Sequence, residues 1–141
     1  MKAFESSATI AAAPDAIWAI LTDAPGYPTW DSGVDSVDGR IAPGEKITVH
    51  SQVAPGRAFP VRVTEFSPGK RMVWSGGMPL GLFQGVRTFT LTALAGGDTQ
   101  FTMREEYSGP LAALITRSIP DLNPSFVRFA TGLKRRAEDG K

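Results

Sequence analysis

Two charged side chains, Arg87 and Glu105, stand on strand faces that are otherwise apolar. Side chains alternate between the two faces of a strand, so Arg87 shares a face with Phe89, and Glu105 shares one with Met103. A charge on a buried face is costly unless it has a partner. The two strands are consecutive, and a hairpin turn centred on Gly96 places Arg87 directly opposite Glu105. The sequence therefore predicts a cross-strand Arg87–Glu105 pair on the inner side of a sheet.

Two roles for this pair remain open from the sequence. The guanidinium of Arg87 can anchor an acidic ligand, and Glu105 or the nearby Tyr107 can act as an acid or base. The pair can equally be a salt bridge at the open end of the sheet, partly in water and contributing little to stability. Glu106 cannot join Glu105 on one substrate, because adjacent residues of a strand face opposite sides.

The chain lacks the residues that most other kinds of reactive site require. There is no cysteine, and the one histidine, His50, alternates with Ile47 and Val49 and is predicted to point outward. Zinc and iron sites usually recruit two or more such ligands, so no metal site is predicted. Neither a G-x-S-x-G nucleophile elbow nor a phosphate-binding loop is present, and no cofactor is expected.

Large aromatic and methionine side chains are predicted to form the wall of a pocket beside the charged pair. Such side chains make an adaptable apolar lining, in which one or two polar groups orient a ligand. The alternative is that they simply fill the core, as large apolar side chains usually do. The predicted wall consists of Trp30, Met72, Trp74, Phe83, Phe89, Met103, Tyr107, Phe126 and Phe129. With Arg87 and Glu105, these are the candidate ligand-binding residues.

Length and composition are those of an ordinary soluble globular protein. The 141 residues suit a single domain over residues 1–141, with 42% hydrophobic and 21% charged residues. A net charge of +1 provides no field for nucleic acid, and no apolar run approaches the roughly 20 residues that span a bilayer. The first ten residues lack the pattern of a signal peptide. A cytoplasmic location is therefore the default expectation.

The elements that position these residues follow from turn signals and apolar periodicity. A first strand over 4–10 is followed by a helix that begins at Pro14, and Pro25 and Pro28 end this helix in a short turn or second helix. Turn pairs occur at Asp38-Gly39, Pro43-Gly44, Pro55-Gly56, Pro68-Gly69 and Gly96-Gly97. The candidate strands between them are 34–37, 45–53, 59–66, 71–75, 83–94 and 99–107. Such short connections predict an antiparallel meander of about seven strands.

A long helix is predicted to close the chain. Apolar residues recur at spacings of four and three on one helical face, namely Ile115, Ile119, Leu122, Phe126, Phe129 and Leu133. Pro120 is predicted to interrupt this region, and Asn123-Pro124 to begin a fresh helix. A bent sheet around such a helix predicts an α+β architecture with a cavity between sheet and helix.

The chain resembles the SRPBCC or START-like superfamily, in its polyketide cyclase/dehydrase and lipid-transport branch. The resemblance covers nearly the whole chain. The matching segments are Ala13-Pro14-Asp15-Ala16-Ile17-Trp18, Leu21-Thr22-Asp23, Tyr27-Pro28-Thr29-Trp30, Val63-Thr64-Glu65-Phe66-Ser67-Pro68, Met72-Val73-Trp74, the stretch from Gly97 to Gly109, and Leu133-Lys134-Arg135-Arg136-Ala137-Glu138. The resemblance implies the helix-grip fold, two short helices after the first strand, and a cavity for a small hydrophobic ligand. Many relatives place a histidine where Arg87 stands, and Pro120 is unusual inside the closing helix and implies a kink or mobile lid there.

Three functions are compatible with these residues. The first is a binding or carrier protein for a small hydrophobic molecule, acidic or aromatic, without nucleic acid or stable membrane insertion. The alternative is a polyketide cyclase or dehydratase-like enzyme that uses the same cavity. A protein-interaction module that uses the outer sheet face has the least support, because the outer face of the strand after Phe83 is rich in threonine. The oligomeric state is open.

Overall fold

The computed structural model describes residues 2–117 and 121–139 of the chain. The strands in these ranges are β1 (Lys2–Ile10), β2 (Val34–Asp38), β3 (Lys46–Ser51), β4 (Phe59–Ser67), β5 (Arg71–Gly77), β6 (Gln84–Ala93) and β7 (Thr99–Ser108). The α-helices are α1 (Pro14–Leu21), α2 (Ala112–Thr116) and α3 (Asn123–Asp139), and a 3₁₀ segment, Ala24–Thr29, follows α1. The predicted interruption at Pro120 and the predicted inward-facing Ile119 lie outside the described residues.

All seven strands form one antiparallel sheet in the order β1-β7-β6-β5-β4-β3-β2. From β2 to β7 each strand pairs with the next along the chain, as short turns require, and β1 adds to the far edge beside β7. A register shift between Val63 and Glu65 in β4 marks a bulge, a feature that bends a strand. The sheet curls around the C-terminal helix, which confirms the predicted helix-grip fold.

The helix α3 is held against the sheet by its apolar stripe. Leu122, just before the helix, and Phe126, Phe129 and Leu133 within it are all buried, as their spacing predicts. We call the sheet face toward this helix the inner face. Two polar contacts fix the end of the helix on β1, because Lys134 donates to the carbonyl of Thr9 at 2.8 Å and the Glu138 carboxylate accepts from the amide of Ala11 at 2.9 Å.

The predicted strand over 83–94 is shorter in the structure. Phe83 precedes β6, and its carbonyl accepts a hydrogen bond from the amide of Met78 at 2.8 Å, which closes a loop between β5 and β6. Leu80, at the tip of this loop, has a φ of 62° and is 95% exposed. In the described ranges, no helix combines the length and the apolar character that crossing a membrane requires.

Candidate functional site

The Arg87–Glu105 pair lies on the inner face, on the neighbouring strands β6 and β7. The two residues are directly opposite in the register, which confirms the predicted pairing through the hairpin at Gly96. Arg87 Nε donates to Glu105 Oε1 at 3.2 Å, and Nη2 donates to Oε2 at 3.3 Å. The side chains are only 21% and 16% exposed. The pair is therefore bidentate and largely shielded from water, unlike an exposed surface salt bridge.

Tyr107 completes what we call the polar cluster, which consists of Arg87, Glu105 and Tyr107. The Tyr107 hydroxyl donates to Glu105 Oε2 at 2.5 Å. Its ring lies over Gly85, the residue opposite it on β6, where an added Cβ would meet the ring carbon Cε1 at 3.3 Å. The absence of a side chain at Gly85 therefore makes room for the tyrosine ring.

The electrostatics of the polar cluster keep Arg87 charged and the Tyr107 hydroxyl protonated at neutral pH. Burial lowers the pKa of the Arg87 guanidinium, but the charge and hydrogen bonds of Glu105 outweigh burial and raise that pKa above its usual value. Burial and the negative charge of Glu105 both raise the pKa of Tyr107, and Arg87 offsets this only in part. Arg87 is therefore a fixed cation and Tyr107 a fixed hydrogen-bond donor. The guanidinium also lies 5.0 Å from the ring centre of Phe126, within range of a cation–π contact.

The polar cluster belongs to a row of residues that crosses the sheet. Phe4, Glu105, Arg87 and Trp74 are directly opposite one another on β1, β7, β6 and β5. Trp74 is buried, and its indole N–H meets no hydrogen-bond acceptor in the described part of the chain. The buried polar atoms Trp30 Nε1 and Ser6 Oγ likewise have no partner among the described residues. Unsatisfied buried polar groups are rare, so each calls for an explanation.

The predicted wall residues do come together between the inner face and α3, and they contact one another. Ring centres lie 5.0 Å apart for Trp30 and Phe129, 4.8 Å for Trp74 and Phe89, and 6.0 Å for Phe89 and Phe129. Met72 and Met103 are fully buried in the same cluster, and Phe126 is 2% exposed. Phe83 differs from them, because it is half-buried and stacks on Tyr107 at 5.7 Å. These residues fill the interior, so their role in ligand binding stays a prediction.

Two concavities of the described residues are open surface grooves of about 230 Å³ each. One lies beside the end of α3 and is lined by Thr29, Trp30, Asp31, Gly132, Arg135, Arg136 and Asp139. The other is lined by Lys2, Ala112, Ala113 and Thr116. Because Lys2 is opposite Tyr107 in the register, this second groove adjoins the strand end that carries the polar cluster.

Sequence reasoning missed two aromatic residues of this interior, Phe4 and Tyr27. The Tyr27 ring is fully buried between the two indoles, 5.3 Å from Trp30 and 6.2 Å from Trp74, and its hydroxyl donates to the carbonyl of Leu21 at 2.6 Å. Burial raises its pKa, and Arg87 partly offsets this. The two prolines that flank Tyr27 indicate a turn, and a turn gives no periodicity from which burial can be inferred.

His50 lies outside this site. Its side chain is 36% exposed, which agrees with the predicted outward orientation. Its Nε2 lies 3.0 Å from Asp38 Oδ2, a partner on the neighbouring strand that the sequence pattern does not reveal.

The curled sheet, the enclosed helix and the aromatic interior define a START-like helix-grip domain. The chain belongs to the polyketide cyclase / dehydrase and lipid transport family, whose model matches residues 1–138. This confirms the resemblance drawn from the sequence motifs. No curated protein sequence matches the chain significantly.

Several solved structures share the fold at low sequence identity. An aromatase/cyclase from a Streptomyces species is 16% identical, with a TM-score of 0.75 over 97% of this chain and 93% of its own. A START superfamily protein from Mycobacterium smegmatis is 14% identical, with a TM-score of 0.73 over 99% of both chains. A norcoclaurine synthase variant from Thalictrum flavum, solved with a transition-state analogue, is 15% identical, with a TM-score of 0.73 over 99% of this chain and 95% of its own. At these identities, the likeness establishes the fold alone.

Proposed function

We propose that this protein binds a small, mostly apolar molecule that bears an acidic group, between the inner face and α3. The observation that carries the proposal is the shielded guanidinium of Arg87 among aromatic rings. Family membership supports a ligand-binding fold of this kind. Binding or transport then needs only a shaped apolar site and an anchoring charge.

Arg87 has donors to spare for such a ligand. A guanidinium has five N–H donors, and within the described residues only two of its hydrogen bonds are made, both to Glu105. Glu105 in turn accepts from Arg87 and Tyr107, so its charge is already compensated. An acidic ligand can therefore bind the remaining face of the guanidinium without displacing the Glu105 pair.

Binding also requires the aromatic rings to move, because they contact each other in this structure. The groove beside Lys2 and α2 adjoins the strand end that carries the polar cluster, and it is the access route that we favour. Ring displacement by a flat apolar molecule replaces one set of aromatic contacts by another, so its cost is partly recovered in the complex.

The proposal is tested by titrating the protein with 2-naphthoate and with its uncharged analogue 2-methylnaphthalene, followed by amide NMR shifts. We expect Arg87→Gln to weaken 2-naphthoate binding about tenfold or more, since a hydrogen bond to a charged group contributes about 1.5–3 kcal/mol. The affinity for 2-methylnaphthalene should change little.

Arg104→Gln is the matched control, because Arg104 lies on β7 with its side chain on the outer face, paired with Glu106 at 2.8 Å. It removes the same charge from the same sheet and should leave both affinities unchanged. Equal 2-naphthoate affinity in Arg87→Gln and the unmodified protein would exclude Arg87 as the anchor.

A second candidate function, cyclisation or dehydration of a polyketone-like substrate, is favoured by one contact. The 2.5 Å hydrogen bond from Tyr107 holds the Glu105 carboxylate in place beside a cation, and a positioned carboxylate can act as a general base toward a substrate. An aromatase/cyclase shares the fold.

This candidate predicts that Glu105→Gln abolishes turnover of a poly-β-ketone thioester analogue, measured by the absorbance of the aromatic product across a range of pH. Glu106→Gln is the control, because Glu106 sits one residue away on the outer face with Arg104. Full turnover in Glu105→Gln, or an equal loss in both variants, would exclude an acid–base role for Glu105.

A further inference from the structure

We propose that the indole N–H groups of Trp74 and Trp30 are ligand-recognition donors, and that the ligand therefore carries acceptor oxygens on a flat aromatic frame. Carboxylate, ketone and phenolate oxygens are the chemical classes that meet this requirement. The inference rests on the proposed function, since it specifies which molecule the interior binds.

The first support is the state of the two indoles. Trp74 is 4% exposed and Trp30 is 5% exposed, and neither Nε1 has an acceptor in the described part of the chain. Buried tryptophan N–H groups usually find a partner, because water is no longer there to accept the hydrogen bond. Phenylalanine would fill an apolar core without this cost, so tryptophan at these positions indicates use of the N–H.

The second support is where the indoles lie. Trp74 is directly opposite Arg87 on the neighbouring strand, so the two side chains are adjacent on the inner face. The ring of Tyr27 bridges Trp74 and Trp30, at 6.2 Å and 5.3 Å from their ring centres. The two indoles and the guanidinium therefore belong to one interior cluster.

The third support is the balance of donors and acceptors in that cluster. Arg87 and both indoles can only donate. The carboxylate of Glu105 already accepts two hydrogen bonds from Arg87 and one from Tyr107. The Tyr27 hydroxyl uses its proton on the carbonyl of Leu21. Ser6 Oγ, the third buried polar atom without a partner in the described part of the chain, can both donate and accept. Around Arg87 and the two indoles the donors still outnumber the free acceptors, a balance that a ligand with several acceptor oxygens satisfies and a ligand whose only polar group is an ammonium does not.

The shape of the surroundings favours a flat molecule. The rings of Phe89 and Phe129 contact the two indoles edge-on, at 4.8 Å and 5.0 Å between centres. Edge-to-face and offset contacts with these rings are available to an aromatic ligand that displaces one of them. An aromatic carboxylic acid combines this shape with the required acceptors, and so does an aromatic ketone whose ring carries a phenolate oxygen.

The test uses the indole N–H signals of the ¹⁵N-labelled full chain, titrated with 2-naphthoate and with 2-methylnaphthalene. The three tryptophans are Trp18, Trp30 and Trp74, and Trp18 serves as an internal reference because it is only partly buried and its ring packs on Phe66 at 5.1 Å. We expect 2-naphthoate to move the Trp74 or Trp30 N–H signal downfield, as hydrogen bonding does. The uncharged analogue should not produce that downfield shift.

The variant Trp74→Phe keeps an aromatic ring and removes only the donor and part of the indole volume. We expect it to reduce affinity for 2-naphthoate about tenfold, while affinity for 2-methylnaphthalene stays within about twofold. Trp18→Phe is the matched control and should change neither affinity.

The outcomes separate this inference from the proposed function. If both probes bind with signals unchanged at both indole N–H groups, and Trp74→Phe weakens neither probe selectively, the inference is overturned while the proposed function stands. If neither probe binds, the proposed function fails and the inference fails with it. The signals of the unmodified protein decide the question even where Trp74→Phe does not fold.

Discussion

At the scale of residues, the polar cluster behaves as one electrostatic unit. Glu105 receives hydrogen bonds from Arg87 and Tyr107, so removing any one member leaves the others imperfectly paired in a shielded place. A half-satisfied buried network is costly, so conservative changes such as Glu105→Gln are the informative ones. The polar cluster thus stabilises the inner face and presents a fixed cation to it.

The two tyrosines of the chain provide a prediction about pH. Burial is the main reason that the pKa values of both Tyr27 and Tyr107 are raised. The folded state therefore holds the phenolic protons more tightly than the unfolded chain. Their contribution to stability is full below the ordinary tyrosine pKa of about 10 and is lost as the pH rises above it.

We expect almost no phenolate absorbance from the folded protein between about pH 10 and 11, where free tyrosine is mostly ionised. Ultraviolet absorbance should rise only together with loss of the circular dichroism signal. Tyr107→Phe isolates Tyr27, whose hydroxyl is the more deeply buried, and the remaining phenolate absorbance should still appear only as the circular dichroism signal is lost. An ordinary tyrosine titration in protein that remains folded would contradict the raised pKa values.

At the scale of elements, α3 approaches the segment before β2 so closely that its sequence is restricted. Gly132 lies in α3 facing the backbone of Asp31, and an added Cβ would be 2.6 Å from the Asp31 carbonyl oxygen. That contact is shorter than atoms allow, and a backbone atom cannot move aside as a flexible side chain can. The glycine therefore sets how close α3 lies to the Trp30 end of the interior.

Gly132→Ala consequently reverses the usual effect of this substitution. Inside a helix, alanine is normally more stable than glycine by about 1 kcal/mol. Here we expect the free energy of unfolding to fall by about 1–3 kcal/mol, because the helix must shift away from Asp31. Urea denaturation measures the change.

Thr131→Ala is the control for helix propensity, because Thr131 is the exposed neighbour in the same helix. It should leave stability unchanged or slightly higher. If Gly132→Ala also gained stability, the added methyl group would not be obstructed by the Asp31 carbonyl, and the prediction would be wrong.

At the scale of the whole molecule, aromatic rings fill the space between the curled sheet and α3. The ring centre of Phe129 lies between 5.0 and 6.2 Å from four other ring centres, those of Tyr27, Trp30, Phe89 and Phe101. Such a network stabilises α3 on the sheet and also occupies the space in which a ligand would bind. Under the proposed function, ligand binding exchanges ring–ring contacts for ring–ligand contacts, with the groove beside Lys2 as the proposed entry.

Most of the architecture could be predicted from the sequence because its signals are local. Alternation with period two assigns each strand residue to a face, and a turn pair fixes the register of the hairpin that it closes. For this reason the Arg87–Glu105 pair and the stripe of Phe126 and Phe129 are confirmed. The strand prediction is wrong at Phe83, because the alternation of side chains continues past the point where the loop hydrogen bond to Met78 ends the ladder.

The state of the interior was decided only by the tertiary structure. Whether Trp30 and Trp74 line a space or fill it depends on distances between elements that are far apart in the chain, and no local pattern encodes those distances. The same is true of hydrogen-bond satisfaction, since a tryptophan N–H is unpaired only when every neighbouring element fails to offer an acceptor. The residue types, their faces and the β6–β7 register thus follow from sequence, whereas the packed rings, the buried Tyr27 and the surplus of donors follow from the three-dimensional arrangement of strands and helices.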